Sequence, residues 1–104
     1  MTESQLERWL GKRLKTLGCL YFKFISPGND GMPDRIIITS HGRIIFAELK
    51  SESGKPSAIQ RLRLGQLRRR RCDARLVVGL NDAMKLLEDI SAPGDCTLEV
   101  SHEL

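Results

Sequence analysis

The sequence predicts an α/β fold with elements in the order α-β-β-β-α-β-α, and three observations carry that reading. A leucine-spaced amphipathic segment opens the chain, two branched apolar runs flank a three-residue connection near its middle, and a basic helical segment separates them from a further apolar run. The 104 residues, 40% of them hydrophobic, suffice for one core and not comfortably for two. Residues 1–104 are therefore expected to form one domain, with a core over about 3–90 and a tail over 91–104.

Residues 3–17 place Leu6, Leu10, Leu14 and Leu17 at helical spacing with Trp9 beside them. Thr2 or Ser4 offers a cap and Gly18 a stop. The stretch "CLYFKFI" (19–25) alternates and is rich in aromatic and branched residues, which predicts a strand. The Gly/Pro/Asn/Asp-rich residues 26–33 form a loop, and "RIIIT" (35–39) and "RIIFAELK" (43–50) flank "SHG", the signature of an antiparallel hairpin. Pro56 and Ser57 open a second helix over 57–71, "ARLVVGL" (74–80) resembles a buried strand, and Asn81 or Asp82 caps a short helix through "AMKLLEDI". The tail "SAPGDCTLEVSHEL" is open between a last edge strand and a partly disordered end. Leu6, Leu10, Phe22, Phe24, Ile37 and Val78 are the expected core.

Charge is unevenly spread. Residues 1–75 hold 16 of the 17 Lys/Arg and 7 of the 13 Asp/Glu, which makes them strongly basic, and the remainder is acidic. That asymmetry points to a polyanionic partner, most simply nucleic acid. Cys19, Cys72 and Cys96 are odd in number and widely spaced, so neither a disulfide framework nor a zinc site is indicated. The charged N-terminus lacks a signal-peptide core and no apolar run is long enough for a membrane span, so a cytoplasmic setting without membrane contact is expected.

The chemistry concentrates in "SPGNDGMPDRIIITSHGRIIFAELKS" (26–51). In an extended chain Ile44, Phe46, Glu48 and Lys50 share one face, and Ile45, Ala47 and Leu49 the other. A carboxylate that continues an apolar face is costly unless something pairs with it. Glu48 and Lys50 alone would read as a cross-strand surface pair. A hairpin about "SHG", however, brings Asp34 opposite residues 48–50, so two carboxylates and one ammonium converge. Two carboxylates repel, and a divalent ion with hard-oxygen preference resolves the conflict. Lys50 would then orient or help deprotonate an attacking water, or offset phosphate charge. This is a phosphodiester hydrolysis site in outline.

The pattern Pro33-Asp34, a hairpin, then Glu48-Leu49-Lys50 resembles the PD-(D/E)XK nuclease superfamily. More narrowly, "LERWL", "KFISPGNDGMPDRI", "FAELK" and "GKPSAIQ" resemble the VRR-NUC family, in its small stand-alone phage and bacterial form, over roughly residues 3–80. The resemblance implies a restriction-endonuclease-like core, a central mixed sheet flanked by helices. It implies that Asp34 and Glu48 ligate Mg²⁺ or Mn²⁺ with the Leu49 carbonyl, that Lys50 is the catalytic lysine, and that Gln60 is the family's glutamine near the site. Glu7 enters as a further acidic residue or a ligand through water, against the plain reading of a helix-supporting glutamate; Glu3 is a weaker candidate.

For nucleic acid, Lys23 and Ser26 flank the loop, Arg35 follows Asp34, and Arg61, Arg63 and Arg68–Arg71 lie in or beside the second helix. Four successive arginines cannot share one helix face, so only some of these reach phosphate. The resulting expectation is a metal-dependent structure-specific endodeoxyribonuclease for branched DNA, four-way junctions above all. It acts as a homodimer and needs no organic cofactor. A flap, fork or nicking endonuclease is the alternative in the same class, and a non-catalytic basic nucleic-acid-binding module the alternative outside it.

Overall fold

The computed structural model describes residues 1–91, so the tail's edge strand, Cys96 and His102 lie outside the described residues. Helix α1 (Glu3–Thr16) starts at Thr2, whose side chain accepts from the Gln5 N–H while the Gln5 side chain accepts from the Thr2 N–H. This reciprocal box satisfies two of the helix's orphan donors. Leu6, Leu10 and Leu14 form its fully buried stripe. Gly18, at φ 80°, turns the chain into β1 (Leu20–Lys23), which is followed by β2 (Arg35–Ile38) and β3 (Ile44–Lys50).

The β2–β3 connection closes with Thr39 N–H to the Arg43 carbonyl at 2.9 Å and Gly42 N–H to the Thr39 carbonyl at 2.9 Å. Helix α2 (Ala58–Arg69) crosses to β4 (Asp73–Val78), and α3 (Gly79–Ile90) ends the described chain. The strands lie in the order β1-β2-β3-β4. The first three are antiparallel and β4 is parallel to β3, so the sheet is mixed, as the resemblance implied.

Ile45, Ala47 and Leu49 of β3 are completely buried and share one core with Ile37, Val77, the α1 leucines, and Ala83, Leu86 and Ile90 of α3. Truncating one of these leucines to alanine costs about 2–5 kcal/mol, a large part of a small domain's stability. The other face is covered only in part, because α2 packs chiefly on β4 with Leu64 as its buried residue. At the start of β3, Arg43 bridges Asp73 at 3.2 Å and Asp89 at 3.0 Å, and Arg75 bridges the same two carboxylates. That network ties β3, β4 and α3 together at the end of the sheet away from Glu48.

Three expectations are corrected. The first strand ends at Lys23, not residue 25. Only Phe24 continues the ladder, its N–H donating to the Asp34 carbonyl at 2.8 Å, and Ile25 is exposed. Helix α3 begins at Gly79 and takes Gly79 and Leu80 from the expected strand: Gly79 adopts φ 73°, and Asp82 reaches back to accept from the Val78 N–H at 2.9 Å. Phe22 is not core, at 52% exposure, and Phe24 and Val78 are half-buried. On β1 the inward position facing α1 belongs to Tyr21.

Candidate active site

The hairpin register sets the site. Arg35 pairs with Ala47, so the next pair outward places Asp34 opposite Glu48. Pro33 is fully buried, the Asp34 carbonyl is fixed by Phe24, and the Asp34 carboxylate accepts from the Leu49 N–H. Glu48 is 3% exposed, an expensive position for a charge. Its Oε2 accepts from Gln60 Nε2 at 3.1 Å and lies 3.6 Å from Lys50 Nζ. Gln60 is itself locked: its Oε1 accepts from the Ser57 N–H at 2.9 Å, and its own N–H donates to Ser57 Oγ at 3.2 Å. One side chain therefore starts α2 and points its amide at the buried carboxylate.

Helix α1 supplies the other wall. Ligand oxygens of Glu3, Glu7 and Asp34 all lie within 4.8 Å of one another. Glu7 Oε1 lies 3.2 Å from an Arg35 guanidinium nitrogen, and that guanidinium sits over the Tyr21 ring at 5.0 Å. Arg35 is thus turned into the site instead of toward open solvent, its side chain 17% exposed. Burial pushes the Tyr21 hydroxyl up to about 12, which keeps it neutral. Glu3 was undervalued from sequence. Its signal was the Glu3/Glu7 spacing of four, which puts both on one face of the helix.

The electrostatics follow. Among the described residues at the site, Glu3, Glu7, Asp34 and Glu48 face Lys50 and Arg35, leaving two negative charges unbalanced. Burial pushes the Glu48 carboxyl up to about 7, and Asp34 adds to this while Lys50 opposes it. Burial, then Glu7, also holds Asp34 above the ordinary carboxylate range, against the pull of the Leu49 N–H and Arg35. Asp34 Oδ1 is buried with no hydrogen-bond partner. A buried acceptor without a donor, beside a second protonation-prone carboxylate, fits a hard divalent cation better than any protein group present. Asp34 and Glu48 are the residues placed to hold it, with Glu7 and Glu3 alongside.

The loop over 26–33 is pinned to α2. Arg63 Nε donates to the Asp30 carbonyl at 2.8 Å, and Gly31, at φ 82°, lies so close to Ile59 that a Cβ would meet its backbone at 2.8 Å. Only glycine fits there. Ser26 Oγ accepts from Asn29 Nδ2 at 3.1 Å, inside the loop. Arg68 Nε donates to the Ala74 carbonyl at 2.8 Å, so Arg63 and Arg68 each spend donors on the fold. Arg61, Arg69 and Arg71 are exposed, as is Lys23, which stands opposite Arg35 on β1.

No family model matches the chain. A curated protein of Acyrthosiphon pisum secondary endosymbiont phage 1, named "Putative nuclease p44", is 38% identical over 58 residues, which are 56% of this chain and 62% of that protein. The match thus spans less than two thirds of that relative's length. A solved structure described as a VRR_NUC domain superposes with a TM-score of 0.71 at 29% identity, covering 85% of this chain and 91% of that one. The shared fold spans nearly the whole of both chains and includes the hairpin that carries Asp34 and Glu48. The chain belongs to the VRR-NUC family of PD-(D/E)XK nucleases.

Proposed function

We propose that the chain is a single-domain endodeoxyribonuclease that uses Mg²⁺ or Mn²⁺ to hydrolyse phosphodiester bonds of branched DNA, four-way junctions above all. The observation that carries this reading is the buried meeting of Asp34 and Glu48 across the hairpin, with one Asp34 oxygen left without a donor. Asp34, Glu48, the Leu49 carbonyl and, through water, Glu7 would hold the metal, which supplies Lewis-acid stabilisation of charge developing on the phosphate. Gln60 fixes the Glu48 carboxylate and Arg35 fixes Glu7, so the acidic groups need not reorganise when substrate arrives. Lys50, beside Glu48, orients the attacking water and offsets phosphate charge as a phosphorus–oxygen bond breaks in line with the attack. Lys23 and Arg61, with the exposed arginines at the end of α2, supply phosphate contacts along the approach. One small domain offers one site and resolving a junction needs two symmetric cuts, so a two-fold homodimer is the proposed assembly. It would act in the cytoplasm of a bacterial or phage-infected cell; no helix among the described residues is long and apolar enough to cross a membrane.

The test presents matched four-way, fork, flap and linear duplex DNAs with Mg²⁺ or Mn²⁺, using Asp34→Asn as control. Paired symmetric incisions confined to the four-way junction support the proposal. Preferred cutting of flaps or forks moves the substrate within the class. Binding without cleavage in either metal replaces the proposal with a non-catalytic nucleic-acid-binding module.

A further inference from the structure

The sheet face that α2 leaves uncovered carries two cross-strand rows. Leu20, Ile38 and Ile44 form one, and Phe22, Ile36 and Phe46 the other, because Leu20 pairs with Ile38, which pairs with Ile44, and Phe22 pairs with Ile36, which pairs with Phe46. All six side chains are apolar. Leu20, Phe22 and Ile44 are each 52% exposed, and beside them Ile25 is 70% exposed. With ring and aliphatic side chains of roughly 150–250 Å² each, these four alone leave on the order of 400 Å² of apolar surface in water. That is large for the surface of a small monomer. The next row outward is the site itself: Phe24, whose N–H meets the Asp34 carbonyl, then Asp34 and Glu48. A spacing of two residues sets it about 7 Å from the phenylalanine row.

We propose that this face, Leu20–Phe22–Ile36–Ile38–Ile44–Phe46, is the surface through which a second copy of this chain docks, placing two carboxylate sites beside one two-fold interface. The inference gives a location to the dimer invoked by the nuclease reading and rests on that reading for its purpose. Charge and area select the occupant. The rows carry no cation, so DNA phosphate gains nothing there. The cations on these strands, Lys23 and Arg35, belong to the opposite face with Tyr21. Residues 92–104 are acidic, with Asp95, Glu99 and Glu103, and they leave from α3, which packs with α1 on the far side of the sheet. An acidic segment finds no countercharge on these rows. A second copy brings an identical apolar patch, and the two patches supply the dry centre of a standard interface of about 800 Å² per partner, the remainder being polar rim.

Sedimentation equilibrium of the full chain at micromolar concentration tests this without reference to cleavage. The wild type should have twice the chain mass. Phe22→Glu and Ile44→Glu, both at exposed positions, should fall to the monomer mass with an unchanged circular dichroism spectrum. Met84→Glu, on the exposed side of α3 (46% exposed), should remain a dimer. A monomeric wild type overturns the proposal, as do dimeric Phe22→Glu and Ile44→Glu proteins or a monomeric Met84→Glu. None of these results alters whether the chain cuts DNA, and a dimer that fails to cut would sink the nuclease reading while leaving the interface in place.

Discussion

Replacing Glu48 by glutamine should stabilise the metal-free protein at alkaline pH and leave it nearly unchanged in mild acid. Burial and Asp34 push the Glu48 carboxyl from 4.5 to about 7, an interval corresponding to ~3 kcal/mol. A carboxyl whose folded pKa lies above its unfolded value binds its proton more tightly in the native state. Its contribution is therefore fully present below about pH 4.5 and is lost as pH rises through about 7. Asp34 shifts in the same direction. Wild-type stability in EDTA should fall by roughly 3 kcal/mol between about pH 5 and about pH 8. Glu48→Gln removes most of that fall. Lys50 loses its partner at 3.6 Å, which takes back about 1 kcal/mol and leaves a net gain near 2 kcal/mol at the upper pH. Urea melts of both proteins in EDTA at the two pH values measure this directly, and Mg²⁺ should flatten the wild-type dependence by binding the ionised pair. Wild-type stability that stays level or rises across this window, or a Glu48→Gln protein less stable than wild type at pH 8, would refute the burial and repulsion argument.

Three other substitutions separate fold from chemistry. Lys50→Ala should lower cleavage by about 10²–10⁴-fold while leaving the melting curve and DNA retention in gel shifts close to wild type; a variant that cuts at the wild-type rate removes Lys50 from the mechanism. Gln60→Ala breaks both the α2 cap and the Glu48 contact, so it should cost ~1 kcal/mol in denaturant melts and raise the metal concentration needed for half-maximal cutting. Gln60→Glu retains the cap acceptor but adds a charge beside Glu48, and should spare stability more than activity in the same two assays. Gly31→Ala forces a Cβ into the Ile59 backbone at a positive φ, so it should destabilise by more than about 1 kcal/mol and speed limited proteolysis within residues 26–33; unchanged proteolysis would show that the loop is not pinned by this contact.

Much of this arrangement was legible from residue order. The hairpin around "SHG" set the register by turn length and alternation alone, and that register places Asp34 opposite Glu48. Ser57 and Gln60 carried a capping-box spacing, but the second use of Gln60, holding a carboxylate on another element, depends on how α2 lies across the sheet. Phe22 was misassigned because alternation shows that Tyr21 and Phe22 face opposite ways without showing which face is covered. The early start of α3 was hidden because the apolar run continues through Gly79 and Leu80, and a glycine inside a run does not announce a positive φ. Arg35, Arg63 and Arg68 looked like phosphate ligands because arginine on a basic segment has many uses. Their bonds to Glu7, Asp30 and Ala74 depend on three-dimensional proximity that linear spacing does not encode.

The central claim is that Asp34 and Glu48 form a metal-dependent phosphodiester hydrolysis site, and cleavage of a labelled four-way junction by wild type and Asp34→Asn in Mg²⁺ tests it most directly. The account predicts cutting by the wild type, none once EDTA is added, and none by an Asp34→Asn protein that still folds and binds the junction. Cutting by folded Asp34→Asn at the wild-type rate would contradict it.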